Sequence, residues 1–527
     1  MLVLALPALV ACARAGSATH DNVLRIADIA EPDKFNPLLS TMDLTEHLSA
    51  LVFSQLVIAD GKGRLVGDLA TEVPSLANGG ISRDGKTVVY HLRSGVTWHD
   101  GAALTSRDVA FTWRVIMNPH NNVFHREGYE EVERVETPDD TTVVVRLRHR
   151  SPPFVTRFFT SLQEGAKAIL PEHLLKDQAT INESPFNAAP VGSGPFKFVR
   201  WEHGRGIVLE AYDRYFRGRP KIDRIVFTAV PDENTMINLT RTHEIDLPQV
   251  SSSVYDVYRH MPGVTTALFP TNGASVLALN DSRPGMRHVE VRQAIARAID
   301  YRALIEKVTH GVGLVAHDIV PPTAIGYVEN PPYAYDPAGA RALLEAHGWK
   351  LGADGIRSKG GERLDFVYLN VTGSATGHAI AVQVQSWLRA IGVAVTLKTS
   401  PYNVIFSYDG PVEKGDYDFA AYGYTMPWDP DNLIYLGCDR FPHAGENVNR
   451  FCDAQIDAGE RRGLGTDDPR ERAAIYVPVE RRIHELVPFI PLYLARRPTA
   501  HISTLRNYEP SPSIAAWWNP WEWEIAR

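Results

Sequence analysis

Along the chain, segments in which every second residue is apolar, as in strands, are followed by segments in which every third or fourth residue is apolar, as in helices. The two-residue period predicts a strand in 87–92 and another in 141–149. Between them the helical period runs through 104–119, with Thr105 as the predicted N-cap and Asp108 three residues later. Strands and helices in such close succession predict a mixed α/β protein.

The second half of the chain continues this alternation. Helical patterns occur at 289–300, 336–350 and 468–494, and 378–399 predicts a helix, a glycine stop and a strand. Asp336 is the predicted cap of the second of these helices, and Pro337 occupies its first helical position. No Pro/Gly/Ser-rich linker separates the segments. We therefore expect several lobes between which the chain crosses more than once.

Length and charge narrow the class of protein. A chain of 527 residues is long enough for two to four domains with large cores. Its 44% hydrophobic and 22% charged residues are typical of a globular protein. The formal charge of −8 is spread along the chain without a basic patch, so nucleic acid is not an expected partner.

The N-terminal residues predict export. The sequence is apolar from Leu2 to Ala11, which is too short to span a bilayer but suits the core of a signal peptide. A basic segment should precede that core, yet the first cation is Arg14. The residues LVAC resemble the bacterial lipoprotein processing box, in which Cys12 would carry lipid. We expect 1–20 to be a signal-peptide or lipoprotein-type N-terminus; a buried apolar strand is the alternative.

Cysteine usage is consistent with an exported protein. Besides Cys12, the chain contains Cys438 and Cys452, close enough in sequence to form a disulfide. Closing so short a loop would contribute roughly 3 kcal/mol. Two independent buried thiols are the alternative. A zinc site would need further ligands, and His443 is the nearby histidine.

Enzyme signatures are incomplete in this sequence. Ser193 has glycine on both sides, but a nucleophile elbow needs glycine two positions away on each side. Residues 311–316 imitate a dinucleotide fingerprint but follow a helix instead of a strand, and 429–432 lacks the glycine and distant Glu of a calcium loop. The sequence therefore predicts a binding protein without metal or cofactor; a secreted hydrolase is a weaker alternative.

One short aromatic stretch, 420–432, is the first candidate for a ligand-binding surface. Tyr422, Tyr424 and Trp428 offer wide apolar faces with polar tips, which suit amphipathic solutes. Alternate residues of a strand there would instead pack in a core, so one or two of the three rings are expected to avoid the ligand.

Five segments in order resemble one family, the family 5 solute-binding proteins, which include the dipeptide- and oligopeptide-binding proteins of bacterial ABC importers. Together they extend the likeness over essentially the whole mature chain. The segments are 92–113 (LRSGVTWHDGAALTSRDVAFTW), 191–227, 289–308, 336–349 and 379–397.

The resemblance implies an α/β fold of the periplasmic binding protein type II (cluster C), with two large lobes and an inserted domain. Ligand would be trapped between lobes I and III as they close around a hinge. The implied bounds are 21–52, 186–270 and 496–527 for lobe I, 53–185 for the inserted lobe II, and 271–495 for lobe III.

The resemblance also assigns roles to site residues. In the peptide binders, an Asp in the segment matching 420–432 pairs with the α-ammonium of the ligand, and Met426 occupies that position here. A thioether cannot form this charge-assisted bond. Asp429 either substitutes for the missing Asp or only braces the turn. Recognition of a free peptide amine is thus in doubt, although the fold is not.

A second ligand-lining segment is implied at 28–39, with Glu31, Asp33 and Phe35 as candidates. Trp98 and His99 belong to a phrase shared with the family and are expected to be structural.

The function implied by the resemblance is capture of a solute outside the cytoplasm for import. We expect a monomeric receptor, in the periplasm or lipid-tethered to the outer face of the cytoplasmic membrane, that delivers ligand to an ABC permease. Peptides are the first expectation for the ligand; an oligosaccharide or a metal chelate is the alternative.

Overall fold

The computed structural model describes residues 22–40, 42–124, 126–162, 168–316, 318–320, 322, 324–407, 409–425, 428–513 and 516–526. The predicted signal segment 1–20, with Cys12, lies outside these residues, and so does Met426.

The strands follow the predicted alternation with helices. They are β1 (Val23–Asp28), β2 (Val57–Ala59), β3 (Leu65–Gly67), β4 (Thr87–His91), β5 (Val132–Asp139), β6 (Thr142–Leu147), β7 (Phe196–Glu202), β8 (Gly206–Ala211), β9 (Arg224–Ala229), β10 (Leu247–Pro248), β11 (Val264–Leu279), β12 (Lys350–Leu351), β13 (Arg357–Lys359), β14 (Glu362–Arg363), β15 (Asp365–Val371), β16 (Ala394–Ser400), β17 (Phe419–Thr425), β18 (Phe489–Ile502), β19 (Leu505–Arg506) and β20 (Glu524–Ile525).

The α-helices are α1 (Asp43–Val52), α2 (Ser106–Met117), α3 (Glu172–Leu175), α4 (Glu233–Arg241), α5 (Tyr255–Arg259), α6 (Val289–Ala298), α7 (Tyr301–Val308), α8 (Pro337–Ala346), α9 (Ala375–Ala390), α10 (Tyr402–Ile405), α11 (Pro411–Lys414), α12 (Leu433–Leu436), α13 (Ala454–Gly463) and α14 (Pro469–Leu486). Short 3-10 helices occupy Pro37–Leu39, Pro152–Thr156, Pro185–Asn187 and Pro520–Glu522.

The predicted helix caps are confirmed where the sequence signal was strong. Thr105 and Asp108 form a reciprocal capping box at the start of α2. The side chain of Asp336 accepts a hydrogen bond from the Gly339 amide at 2.8 Å, with Pro337 at the first helical position of α8. Both helices therefore begin where local side-chain chemistry satisfies their free amides.

Two five-stranded sheets form the framework of the molecule. The first has the order β10-β1-β9-β8-β7, and its strands fall in the ranges assigned to lobe I. The second has the order β16-β15-β17-β11-β18 and falls mainly in the range assigned to lobe III. A three-stranded sheet, β4-β6-β5, lies within the inserted range, lobe II.

The apolar cores divide the molecule into two bodies. One continuous core contains buried residues of both lobe I and lobe II, together with Trp517 and Trp523 of the C-terminal tail. The main core of lobe III is separate and packs α6–α9 against the second sheet. We refer to lobes I and II together as one body and to lobe III as the other, because the largest core is shared by lobes I and II and contains no residue of lobe III.

The long strands β11 and β18 pass from one body to the other. They pair antiparallel along most of their length, from Val264 with Ile502 to Ala278 with Phe489. The register shifts between Pro270 and Ala274, at a bulge in β11, and shifts again between Ser275 and Val276. The ladder between the two strands is therefore disrupted at both points.

The glycines beside Ser193 have a steric explanation. A Cβ at Gly192 would overlap the Val52 carbonyl, and one at Gly194 would lie 2.6 Å from the Val52 carbonyl carbon. The Gly194 amide donates to that same Val52 carbonyl at 2.8 Å. The flanking glycines thus allow two backbones to approach, which accounts for a pattern that only superficially imitates a nucleophile motif.

Candidate functional site

A cavity of about 350 Å³ lies at the carboxyl edge of the first sheet. Strands β9 and β10 pair parallel to β1 on its two sides. In open α/β sheets, ligands bind outside the carboxyl ends of the strands where the strand order reverses. The cavity occupies such a point, and its volume is within the usual range for small-molecule sites. It is lined by Ile26–Ala30, Met42–Leu44, His47, Phe227, Leu247–Val250, Arg497–Thr499, Tyr508 and Trp517.

The cavity has an aromatic wall made by the C-terminal tail. The His47 and Trp517 rings are stacked with centroids 5.1 Å apart. Burial raises the pKa of Tyr508 to about 12, so its hydroxyl is neutral near pH 7. Trp517 packs in the core shared by lobes I and II and also lines this cavity.

The segment 420–432 leaves the corresponding edge of the second sheet. β17 is parallel to β15, which is parallel to β16, so their carboxyl ends share one edge. Tyr422 and Tyr424 are two residues apart and share a face of β17. Both are half-buried: the Tyr422 ring lies 6.0 Å from Phe406, and the Tyr424 ring 5.2 Å from Tyr435. Each ring therefore packs in lobe III and retains some exposed surface.

Trp428 follows in the same segment and is half-buried. Its indole Nε1 is buried and has no hydrogen-bond acceptor among the described residues. Buried indole N–H groups normally find an acceptor. Trp428 thus carries a hydrogen-bond donor without an acceptor among the described residues.

Asp429 is engaged inside lobe III. Its two carboxylate oxygens accept hydrogen bonds from both terminal nitrogens of Arg472, at 2.5 and 2.6 Å. Both side chains are almost completely buried. This bidentate pair is the bracing arrangement that the sequence left open as an alternative to ammonium binding.

Further acidic groups surround this turn. Asn432 is fully buried; its amide donates to Glu460 Oε2 at 3.0 Å and its side chain to Glu480 Oε1 at 3.4 Å. Burial, reinforced by Asp318, raises the pKa of Glu480 to about 8. Burial also raises the pKa of Glu460 well above its usual range. The two carboxyl groups that bind Asn432, those of Glu460 and Glu480, therefore both have a raised pKa.

The same turn reaches lobe II. Asp431 Oδ2 lies 3.5 Å from Arg157 Nη2, and nearby Asp467 Oδ2 lies 2.6 Å from Arg150 Nη1. Asp431, near the end of the aromatic segment, therefore lies at a contact between lobe III and lobe II.

The predicted residues of 28–39 have different environments. Glu31 accepts hydrogen bonds from the Gly204 amide at 2.5 Å and from His203 at 3.3 Å. Burial opposes ionisation of Glu31, but these bonds outweigh it and lower its pKa. Asp33 is exposed and accepts from Ser40 Oγ at 2.5 Å.

Phe35 is corrected from a ligand-lining residue to a core residue. Its side chain is 0% exposed and packs edge-on against Phe198 and Trp201, with centroids 5.6 and 5.8 Å apart. An aromatic in a loop between polar residues looks accessible from sequence, but this ring turns inward onto the first sheet.

Trp98 and His99 are structural in this conformation. Trp98 is fully buried, and His99 bonds the Gly194 carbonyl at 3.0 Å. Burial lowers the pKa of His99 to about 4, so the ring is neutral near pH 7.

The two carboxyl edges meet near the bulge. Thr425, at the end of β17, pairs with Gly273 of β11, whereas Arg497 pairs with Phe269 of the same strand. Four residues along a strand correspond to roughly 13 Å. The aromatic segment of lobe III and the cavity of lobe I are thus close enough for one peptide-sized solute to touch both.

Sequence reasoning missed Arg497, His47, Trp517 and the rings that extend the lobe III aromatic surface. Tyr402 is 63% exposed and lies 4.8 Å from Phe406, which in turn contacts Tyr422. The sequence gives Tyr402 one usable signal: it follows Pro401 at the end of a predicted strand. The sequence gives no signal for Arg497, because nothing in it distinguishes Arg497 from the adjacent Arg496.

Two searches of the described residues give a negative result. No group of three or more His, Cys, Asp or Glu side chains there is arranged to hold a metal ion. Within the same ranges, no helix combines the length and the apolar character needed to cross a membrane.

Comparison with known proteins identifies the family. Residues 64–441 match the family model described as bacterial extracellular solute-binding proteins, family 5. The chain belongs to this family. Its fold is accordingly that of a periplasmic binding protein of family 5, as the sequence predicted, and the members of this family bind solutes rather than transform them.

Individual relatives extend over nearly the whole chain. The oligopeptide-binding protein AppA of Bacillus subtilis is 28% identical over 516 residues, covering 96% of this chain and 93% of AppA. The solved structure of B. subtilis AppA with a nonapeptide has a TM-score of 0.73 and 26% identity, covering 96% and 99% of the two chains. NikZ from Campylobacter jejuni, solved with Ni(L-His), has a TM-score of 0.74 and 25% identity, with the same coverage.

Proposed function

We propose that this family 5 protein captures peptides outside the cytoplasm and presents them to the membrane permease of an ABC importer. One observation carries the proposal: two separately cored bodies are joined through β11 and β18, and each presents the carboxyl edge of its sheet near the bulge in β11. Such an arrangement binds by closing, since a solute that touches both edges stabilises the closed state by its differential affinity.

Peptides are favoured over other solutes by the relatives. AppA is named as an oligopeptide-binding protein and was solved with a nonapeptide. The surfaces of this chain suit such ligands, because Tyr402, Tyr424 and Trp428 can pack against varied side chains without selecting one. A metal chelate is the second candidate, supported by the likeness to NikZ with Ni(L-His).

Native mass spectrometry of freshly purified protein tests the proposal directly. A distribution of co-purifying peptides is expected, and small-angle scattering should show a smaller radius of gyration after a peptide is added. A single metal complex or sugar in place of peptides would contradict peptide capture and favour the second candidate.

Trp428 provides a matched test of the lobe III surface. W428A removes the ring and should weaken peptide binding at least tenfold, whereas W428F keeps a ring, loses the indole N–H and should weaken it less. Calorimetry measures both affinities, and an unchanged melting temperature shows that the fold is intact. Wild-type affinity in W428A would remove this residue from the proposed site.

Location and partners are part of the same proposal. Processing at the LVAC sequence would leave Cys12 as a lipidated N-terminus that holds the receptor at the outer face of the cytoplasmic membrane. The mass of the mature N-terminal peptide after expression in a bacterial host would decide between lipid and a free signal-peptidase product.

A further inference from the structure

Arg497 is unusual among the half-buried arginines of this protein. It lines the lobe I cavity, and its Nη1 donates to the Ser511 carbonyl at 3.3 Å. Within the described ranges, no carboxylate forms an ion pair with it. Arg496, the next residue toward the N-terminus, instead donates to the carbonyls of Gly311, Val312 and Gly313. The two neighbouring guanidinium groups therefore differ in role: that of Arg496 binds three backbone carbonyls, and that of Arg497 faces a cavity.

Carboxylates also line this cavity. Asp28 is half-buried at the end of β1, and its Oδ1 accepts from the Ala30 amide at a long 3.4 Å. Asp43 is exposed in the first turn of α1. Neither acid pairs with a cation among the residues that the structure describes. The cavity thus combines one cationic and two anionic side chains that form no ion pair with one another.

Burial makes both kinds of charge costly in the empty cavity. Burial lowers the pKa of Arg497, although Tyr508 and Asp43 partly oppose this. Burial likewise raises the pKa of Asp28, and the nearby Asp43 adds to the shift. An opposite charge brought by a solute would relieve each of these costs, because a buried charge is tolerated best when it is paired.

We propose that the lobe I cavity binds a zwitterionic part of the solute, with an acidic group on Arg497 and a cationic group on Asp28. The planar guanidinium of Arg497 matches a carboxylate in a bidentate geometry. The stacked His47 and Trp517 rings form an apolar wall along the same cavity. A solute with only an acidic group would meet two like charges at Asp28 and Asp43, which is why both signs are required.

This assignment rests on the proposed function and moves the recognition of charge away from the aromatic segment. There, Met426 carries no charge and Asp429 is already paired with Arg472. Lobe III would therefore hold the body of the solute through its rings, and lobe I would select for its charged groups.

The test uses a pool of two- to five-residue peptides in three forms: free at both ends, amidated at the C-terminus, and acetylated at the N-terminus. For the wild-type protein, each block should weaken binding at least tenfold by calorimetry. In R497Q, amidation of the C-terminus should change the affinity less than twofold, whereas acetylation of the N-terminus should still weaken binding at least tenfold. In D28N, the pattern should reverse. Loss of one specific penalty in each variant is the signature of direct pairing.

Controls separate this pattern from general damage. R506Q and D177N neutralise exposed residues of the same types and should keep both penalties. R497K keeps the charge and should keep most of the preference for a free carboxylate, which preserves the test if R497Q does not fold. The wild-type comparison alone also tests the proposal, since it needs no variant.

The outcomes distinguish the two proposals. Blocked peptides that bind wild-type protein as tightly as free ones would overturn the zwitterion assignment and leave peptide capture intact. Retention of both penalties in folded R497Q or D28N would also overturn it. If no form of the pool binds, peptide capture itself fails, and this assignment fails with it.

Discussion

At the residue scale, Asp429 is a side chain that could bind a ligand amine but instead forms a buried ion pair with Arg472. A carboxylate in an aromatic, cleft-facing loop suggests an anchor for a ligand amine. In the structure, both of its oxygens are held by Arg472, so replacement would leave a buried guanidinium without its counter-ion. Breaking a buried pair in this way costs about 3–5 kcal/mol.

D429N is therefore expected to lower the free energy of unfolding by about that amount. Urea unfolding of the ligand-free protein measures the change, and D439N, at an exposed aspartate in lobe III, is the control. A D429N variant with wild-type stability but weak peptide binding would show instead that Asp429 replaces the ammonium-binding Asp that Met426 lacks.

The buried Glu480 predicts a pH dependence of stability. Its pKa in the folded protein is raised to about 8 from the ordinary 4.5, so between these values the folded state holds a proton that the unfolded state releases. Stability from this group is present at low pH and is lost as the pH rises from about 5 to 8. E480Q keeps the side-chain shape and removes the titration.

Urea unfolding at pH 5, 6.5 and 8 should show the wild-type free energy falling with pH and a smaller fall in E480Q. Some dependence on pH should remain in E480Q, because burial also raises the pKa of Glu460. If the free energy of unfolding of E480Q fell with pH as steeply as that of the wild type, Glu480 would be excluded as a cause of the pH dependence.

At the element scale, the sequence predicted most of what local chemistry decides. The capping box at Thr105, the capped start at Asp336 and the alternating strand 142–147 are all present. Each depends on residues within a few positions of one another. The prediction that failed, Phe35 as a ligand contact, depends on which way a loop folds back onto a sheet, and no local pattern encodes that direction.

The candidate site was only partly predictable for the same reason. The aromatic segment 420–432 is dense enough in rings to be noticed. The lobe I cavity, however, is assembled from three distant parts of the sequence: the end of β1, the end of β10, and the C-terminal part that contains a stretch of β18 and the ring of Trp517. Only the sheet order brings them together.

The disulfide Cys438–Cys452, which confirms the predicted pairing, closes the connection between α12 and α13. These elements follow the aromatic segment directly, so the bridge limits the unfolding of that region. The double variant C438S/C452S should lose roughly 3 kcal/mol of stability and exchange its amides faster around α12. Hydrogen exchange measures the second effect, and unchanged exchange there would show that the bridge does not restrain this region.

At the scale of the whole molecule, lobe II is more than an insertion. It shares a continuous core with lobe I, yet Arg150 and Arg157 reach across to Asp467 and Asp431 of lobe III. Both acids are largely buried, so these pairs are screened less by salt than surface pairs are. They connect the two bodies by contacts additional to the strands β11 and β18.

The double variant R150A/R157A should shift the protein toward a more open state. We expect a larger radius of gyration by small-angle scattering and a dissociation rate for bound peptide increased several-fold. R107A removes an exposed arginine whose partner, Asp140, also lies in lobe II, and should change neither quantity. An unchanged dissociation rate in the double variant would mean that the cross-lobe pairs do not stabilise closure.

The position of the bulge has a consequence for the order of events during capture. Rotation about a pivot moves each atom in proportion to its distance from that pivot, and Arg497 pairs with Phe269, directly beside the Pro270 end of the bulge. If lobe III rotates about this point on closure, the lever arm of Arg497 is short and its guanidinium moves little. On that geometry the charged groups of the solute would bind first, and closure would then depend on how well the rest of the solute fits.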